Sequence, residues 1–196
     1  THGKDVFYTE LARRTLPMWK QFQAELREEL LQQNGVLELA TGDGRFEEQS
    51  LKVLQELKIS VQRLEPKEVC ERYRMLKSRS FRFAVYHGDG GMIWAKKAIE
   101  AFIRLSTKLG VRVEPGAKIV KVARSKAGIE GLKDARGRVW KAKDYLFAAG
   151  AWTKDVLKGF GLPLSVTRQK CLYLRPPQNQ GRYRPAHFPV LAVSGR

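Results

Sequence analysis

The 196 residues predict a mixed α/β fold, of the α+β or α/β kind, with a moderately large sheet. Two long stretches place apolar residues at helical spacing, one in the first third and one over Met92 to Leu109. Beyond Gly110, short apolar runs alternate with turn-forming residues in the manner of hairpins. No internal repeat or low-complexity linker interrupts this order.

In chain order, Thr1 to Asp5 reads as a polar loop, and Leu11, Leu16, Trp19, Phe22, Leu26 and Leu30 mark a helix over about Thr9 to Gln33. Pro17 should kink that helix or start it afresh, and Asn34-Gly35 should cap it. A strand is expected at Gly35 to Ala40, a helix at Glu47 to Leu57, a strand at Ile59 to Leu64 and a helix start at Glu65-Pro66-Lys67-Glu68. Phe81 to Tyr86 reads as a strand, His87 to Gly91 as a glycine-rich turn and Met92 to Leu109 as the clearest helix. Strands then follow at Val111 to Val113, Lys118 to Ala123 and Ile129 to Leu132, with a hairpin turn at Asp134 to Arg138 and a return at Val139 to Ala142. Leu164 to Leu174 is expected as one long strand and His187 to Val193 as the last. Asp43, Asp89 and Asp134 sit among turn residues and read as turn formers, and His87 with Asp89 reads as part of a solvated turn rather than an acid/base pair.

One stretch stands apart. Tyr145 to Phe147 is apolar enough for a short buried strand, Ala148 to Ala151 removes nearly all side-chain bulk, and a helix can start at Thr153. A strand ending in tiny residues lets a ligand approach the backbone, and a helix N-terminus attracts phosphate. A tight turn with no ligand satisfies the same residues.

Composition narrows the function classes. With 43% hydrophobic and 29% charged residues the chain is globular in character. The formal charge of +17 admits nucleic acid, anionic surfaces or acidic partners, yet no run of five Lys/Arg occurs, and the densest groups are Arg72 to Arg82 and Arg182/Arg184. Cys70 and Cys171 form no CxxC, and His2, His87 and His187 lack metal-ligand spacing, so no metal site is expected. The cysteine usage fits a reducing, cytoplasmic setting, and no apolar run is long enough to span a membrane. Neither GxGxxG nor GxxxxGK[ST] occurs. An opening without Met and a Ser-Gly-Arg ending suggest an internal fragment.

The ordered set of a glycine turn, a long helix, Gly110-Val111-Arg112-Val113, the strand at Lys118, a hairpin and Ala148-Ala149-Gly150-Ala151-Trp152 resembles the D-amino acid oxidase (DAO) superfamily of FAD-dependent oxidoreductases. The sarcosine oxidase and N-methyltryptophan oxidase branch is the nearest in pattern, with Thr1-His2-Gly3, Trp19, Leu162-Pro163-Leu164, Arg168-Gln169 and Phe188-Pro189-Val190 also matching. The resemblance implies part of an FAD-binding Rossmann-like domain and part of a mixed-sheet substrate domain. Residues 1–10 would be a loop of the FAD domain, 11–85 the first part of the substrate domain, 86–162 a partial FAD-binding domain, and 163–196 the second part of the substrate domain. It further implies that His2 and Gly3 pass the flavin and its phosphates, that the backbone of Ile119 meets adenine, and that Ala149, Gly150 and Trp152 lie near the phosphates and ribose.

The departures matter equally. The family's pyrophosphate-binding GxGxxG is absent from these residues, and the two arginines that face flavin and substrate in the sarcosine oxidase branch match Val6 and Thr9 here. Cys171 does not match the flavin-linked cysteine, and no catalytic residue is assigned. The expected function is therefore part of an FAD-dependent oxidase or dehydrogenase acting on a secondary amine or amino acid, inactive alone. One alternative is a non-catalytic split subunit that joins a complementary chain or itself. The other is a basic nucleic-acid-binding domain, with Phe81, Phe83 and Tyr86 beside Arg79 and Arg82 as a stacking strand, although such aromatics more often belong to a core.

Overall fold

The computed structural model describes residues 5–126, 128–168 and 180–194. Its contacts divide the chain into two compact units, residues 1–105 with 175–196, and residues 106–174.

Unit 1 is organised by a four-stranded sheet. Strand β2 (Val36–Ala40) pairs antiparallel with β4 (Ala84–His87), which pairs antiparallel with β3 (Gln62–Leu64). On its other side β2 pairs parallel with β9 (Val190–Ser194), drawn from the far end of the chain. Alternation along β2 and β4 sends side chains to two faces. Leu37, Leu39 and Ala84 pack with Leu64, Phe81 and Val69 of α3 (Pro66–Arg72) on one face. Ala40, Val85 and Phe83 pack with Leu54 of α2 (Arg45–Glu56) on the other. Helix α3 starts where the sequence placed it, with Glu65 and Glu68 forming a reciprocal capping box and Pro66 in the first turn.

The first helix, α1 (Val6–Leu26), is capped by Asp5, whose side chain accepts from the Tyr8 N–H. It runs through Pro17 as one helix and ends at Arg27 in a left-handed conformation, so the expected extension to Gln33 and cap at Asn34-Gly35 do not form. Gln23 intervenes: its Oε1 accepts from the N–H groups of Leu30 and Leu31, holding the chain in a turn that leads to β1 (Leu31–Gln32). Strand β1 pairs with β5 (Met92–Ile93), which removes Met92 and Ile93 from the helix expected there. Helix α4 begins at Ala95 and ends at Lys108, crossing the division between the units. Phe22 of α1 stacks on Phe102 of α4 with centroids 4.6 Å apart, and Trp19 meets the same ring edge-on.

Unit 2 contains an antiparallel three-stranded sheet, β6 (Ile119–Ser125), β7 (Gly128–Asp134) and β8 (Val139–Trp140). The β7–β8 turn is tied by Asp134. Its Oδ1 accepts from the N–H groups of Arg136 and Arg138, both at 2.9 Å, and its Oδ2 from Trp140 Nε1 at 3.0 Å. A 3₁₀ turn at Gly150–Trp152 leads into the short helix α5 (Thr153–Val156).

Three expected strands are corrected here. Val111 to Val113 and Tyr145 to Phe147 have strand-like composition but no regular structure, because no described strand pairs with them, and the Val111 N–H donates back to the Ser106 carbonyl at 2.9 Å. Leu146 is 94% exposed rather than buried. Residues 164–168 of the expected long strand are also irregular, and 169–174 lie outside the described residues. Among the described residues, every buried hydrophobic side chain belongs to unit 1.

Candidate functional site

The small-residue stretch of unit 2 opens onto a cavity. Ala148, Ala149 and Trp152 line it with Ile119 and Val120 of β6, Leu132 of β7, Leu146, Phe147, and Asp155 and Val156 of α5. Its volume is about 1030 Å³, at the upper end of what small-molecule and cofactor sites enclose. Strand β6 brings Ile119 there because Ile119 opens the strand opposite Asp134, whose hydrogen bonds fix the end of the hairpin. The chain then turns at residue 150, where the Trp152 N–H donates to the Ala149 carbonyl at 3.0 Å.

Gly150 decides what this corner can accept. Its φ of +54° is a conformation that side-chain-bearing residues rarely adopt, and no heavy atom lies within 4 Å of where a Cβ would stand. The glycine is thus required by the turn and faces open space. Trp152 leaves 71% of its surface exposed beside it, a flat apolar wall. Lys118 supplies a cation at the cavity edge and Asp155 an anion. The corner is therefore unplugged and large enough for a nucleotide-sized group, and the residues present fit such a guest.

The expected helix contribution is smaller than the sequence suggested. Helix α5 covers only Thr153 to Val156, too short for the aligned dipole that draws phosphate to a long helix, so access to the backbone carries the argument. Of the sequence-predicted positions, Ile119, Ala149 and Trp152 line one cavity, and Gly150, between two of them in the chain, faces open space without itself lining it. His2 and Gly3 lie outside the described residues. Leu132 was not foreseen, and only the hairpin register could have found it; Leu146 and Phe147 were read as a buried strand and instead form wall.

Other candidates resolve differently. His87 is 9% exposed rather than solvated, and its Nε2 has no hydrogen-bond partner among the described residues. Burial lowers its pKa, which keeps the imidazole neutral near pH 7. Asp89 on the same turn is exposed. Phe81 and Phe83 are buried in the core of unit 1, which removes them from any stacking platform. Arg168 is exposed in an irregular segment, not on a strand. Among the described residues no cluster of His, Cys, Asp and Glu could hold a metal, and no helix is long and apolar enough to cross a membrane.

A family model described as FAD dependent oxidoreductase (DAO) matches residues 2–195. The chain belongs to this family. Among DAO relatives, the human peroxisomal sarcosine oxidase is 29% identical over 176 residues, covering 86% of this chain and 43% of the relative. The N-methyl-L-tryptophan oxidase of Yersinia pestis is 23% identical, covering 98% of this chain and 50% of the relative. The chain thus spans about half the length of the curated DAO relatives it matches. Solved structures share the DAO fold: L-proline dehydrogenase from P. horikoshii at a TM-score of 0.71 and 17% identity, over 85% of this chain and 44% of that one, and glycine oxidase from Bacillus cereus at 0.61 and 21%, over 77% and 43%.

Proposed function

We propose that the chain is part of an FAD-dependent oxidoreductase that oxidises the C–N bond of a secondary amine or amino acid. The observation that carries this reading is the open corner at Gly150 beside a cavity of about 1030 Å³, in a chain of the DAO family. FAD held there would supply the hydride acceptor for a C–H next to nitrogen; the imine so formed would be hydrolysed by water, and the reduced flavin reoxidised by oxygen or another acceptor. The protein's part is to hold and orient. Gly150 leaves its backbone bare, Ala149 keeps the approach free of bulk, Ile119 offers main chain at the start of β6, and Trp152 offers an apolar wall. Lys118 supplies charge opposite in sign to a phosphate. His2 and Gly3 join this set by resemblance to the family. A reducing cytoplasmic compartment suits Cys70, a free thiol, although one relative's name places it in the peroxisome.

Since GxGxxG does not occur in these residues, the isolated chain is expected to bind FAD weakly, with a Kd on the order of 100 μM, and to oxidise no amine. Flavin fluorescence titration tests the site. Ala149→Trp fills the cavity from a half-buried position and should weaken binding roughly tenfold or more, about 1.4 kcal/mol. Identical titrations of both proteins, or no saturable quenching by the unaltered chain, would overturn the assignment.

A second reading rests on unit 2, where Val111, Val139, Leu146 and Trp152 are all exposed and no described hydrophobic side chain is buried. Here the chain assembles with a complementary chain, or with itself, to cover that surface.

A further inference from the structure

The acidic residues of this chain are unevenly placed. Residues 72–88 hold Arg72, Arg74, Lys77, Arg79 and Arg82 without one Asp or Glu, and residues 156–196 hold seven Lys/Arg and again none. The fold brings these acid-free stretches together. Tyr73 meets Phe188 edge-on at 5.5 Å, which pins the segment before β9 against the end of α3. Between them lies a cleft of about 610 Å³ whose lining includes Arg72, Tyr73, Arg74, Arg182 and His187, with Glu71 as its one carboxylate.

Five other arginines of unit 1 are neutralised locally. Arg13 and Arg14 pair with Glu10, Arg45 with Asp43, Arg63 with Glu65 and Arg104 with Glu28. The three arginines of the cleft form no ion pair among the described residues. Arg72 is held instead by a neutral partner, its Nη1 donating to Gln62 Oε1 at 3.2 Å. Like charges held close raise the energy of the folded chain unless an anion joins them. Guanidinium forks match the oxygens of phosphate, and three of them exceed what a single monoanion needs.

We propose that this cleft binds a multivalent phosphate of the kind borne by nucleotides and polyphosphates. Arg72, Arg74 and Arg182 contact the phosphate oxygens, His187 adds a hydrogen-bonding nitrogen, and the half-buried ring of Tyr73 forms part of the wall. The site lies wholly in unit 1 and does not depend on the flavin reading of unit 2.

Calorimetric titration of the 196-residue chain with inorganic tripolyphosphate, ATP and adenosine tests it. Tripolyphosphate and ATP should bind, adenosine should not, and binding should weaken with added salt, as expected for exposed charges. Arg74→Gln with Arg182→Gln should weaken tripolyphosphate at least tenfold. Lys20→Gln with Lys52→Gln removes the same charge from exposed positions on α1 and α2 and should change it less than twofold. Far-UV circular dichroism confirms that both variants fold. Equal weakening in the two variants would reduce the effect to net charge and overturn the site, as would adenosine binding as well as ATP, or no binding of tripolyphosphate.

Discussion

Glu47 is 2% exposed on the inner side of α2, where burial, followed by the charges of Glu38 and Asp43, raises its pKa against the opposing pull of a backbone hydrogen bond. The folded chain therefore holds this proton more tightly than the unfolded chain. Stability from this group is present below the ordinary glutamate range near about 4.3 and declines as pH rises through the raised value. Glu47→Gln should leave stability unchanged near pH 4 and increase it by on the order of 1 kcal/mol at pH 7. Urea unfolding at a series of pH values checks this; a gain of equal size at both ends would show that titration is not the cause. Asp134 has the opposite sign. Although burial opposes it, the hydrogen bonds from Trp140, Arg138 and Arg136 hold its carboxyl low, so the hairpin should loosen as pH falls through that lowered value. At this scale the site was partly legible. Gly150 stood out because a run of tiny residues leaves the backbone open to close approach, whereas His87 did not, since nothing in His-Gly-Asp-Gly tells burial from solvation.

Elements depend on neighbours as well as on their own residues. At the β1–β5 pair, a Cβ on Gly91 would stand 2.1 Å from the Gln32 carbonyl oxygen and 2.9 Å from Gln33 Cα, both main-chain atoms that cannot swing aside. Gly91→Ala should therefore part the two strands and cost about 1–3 kcal/mol, measured as a shift in the urea midpoint with unchanged slope. A variant as stable as the parent would show that the strands yield freely. The helices of this chain were largely legible: α2, α3 and α4 fall within a few residues of their apolar periods, and the Asp134 turn matches its composition. Strands β2, β4 and β9 were legible from their own residues although their partners lie far off in sequence, as were β6 and β7, whose partners lie close. Val111 to Val113 and Tyr145 to Phe147 have the right residues and no ladder, since hydrogen-bond partners are not a local property. The pairing of Val36 with Val190, across some of the longest separation in the chain, has no sequence signature at all.

For the whole molecule, the units differ in substance. Residues 106–174 carry fifteen Lys/Arg and five Asp/Glu and bury no described hydrophobic side chain, while unit 1 holds the entire described core. Unit 1 is nevertheless assembled from both ends of the sequence. Strand β9 lies along all five residues of β2, the Val190 N–H donates to the Gly35 carbonyl, and Asn34 Nδ2 donates to the Phe188 carbonyl at 2.8 Å. A site-specific protease sequence placed at Gly161 and then cut should leave two fragments that elute as one species in native size-exclusion chromatography and separate in urea. Fragments that part without denaturant would mean that the covalent link, not the sheet, retains β9. The parallel pairing thus acts as a clasp: it fastens the far end of the sequence to the first third within one unit, and residues 106–174 become a detour spliced between two parts of it.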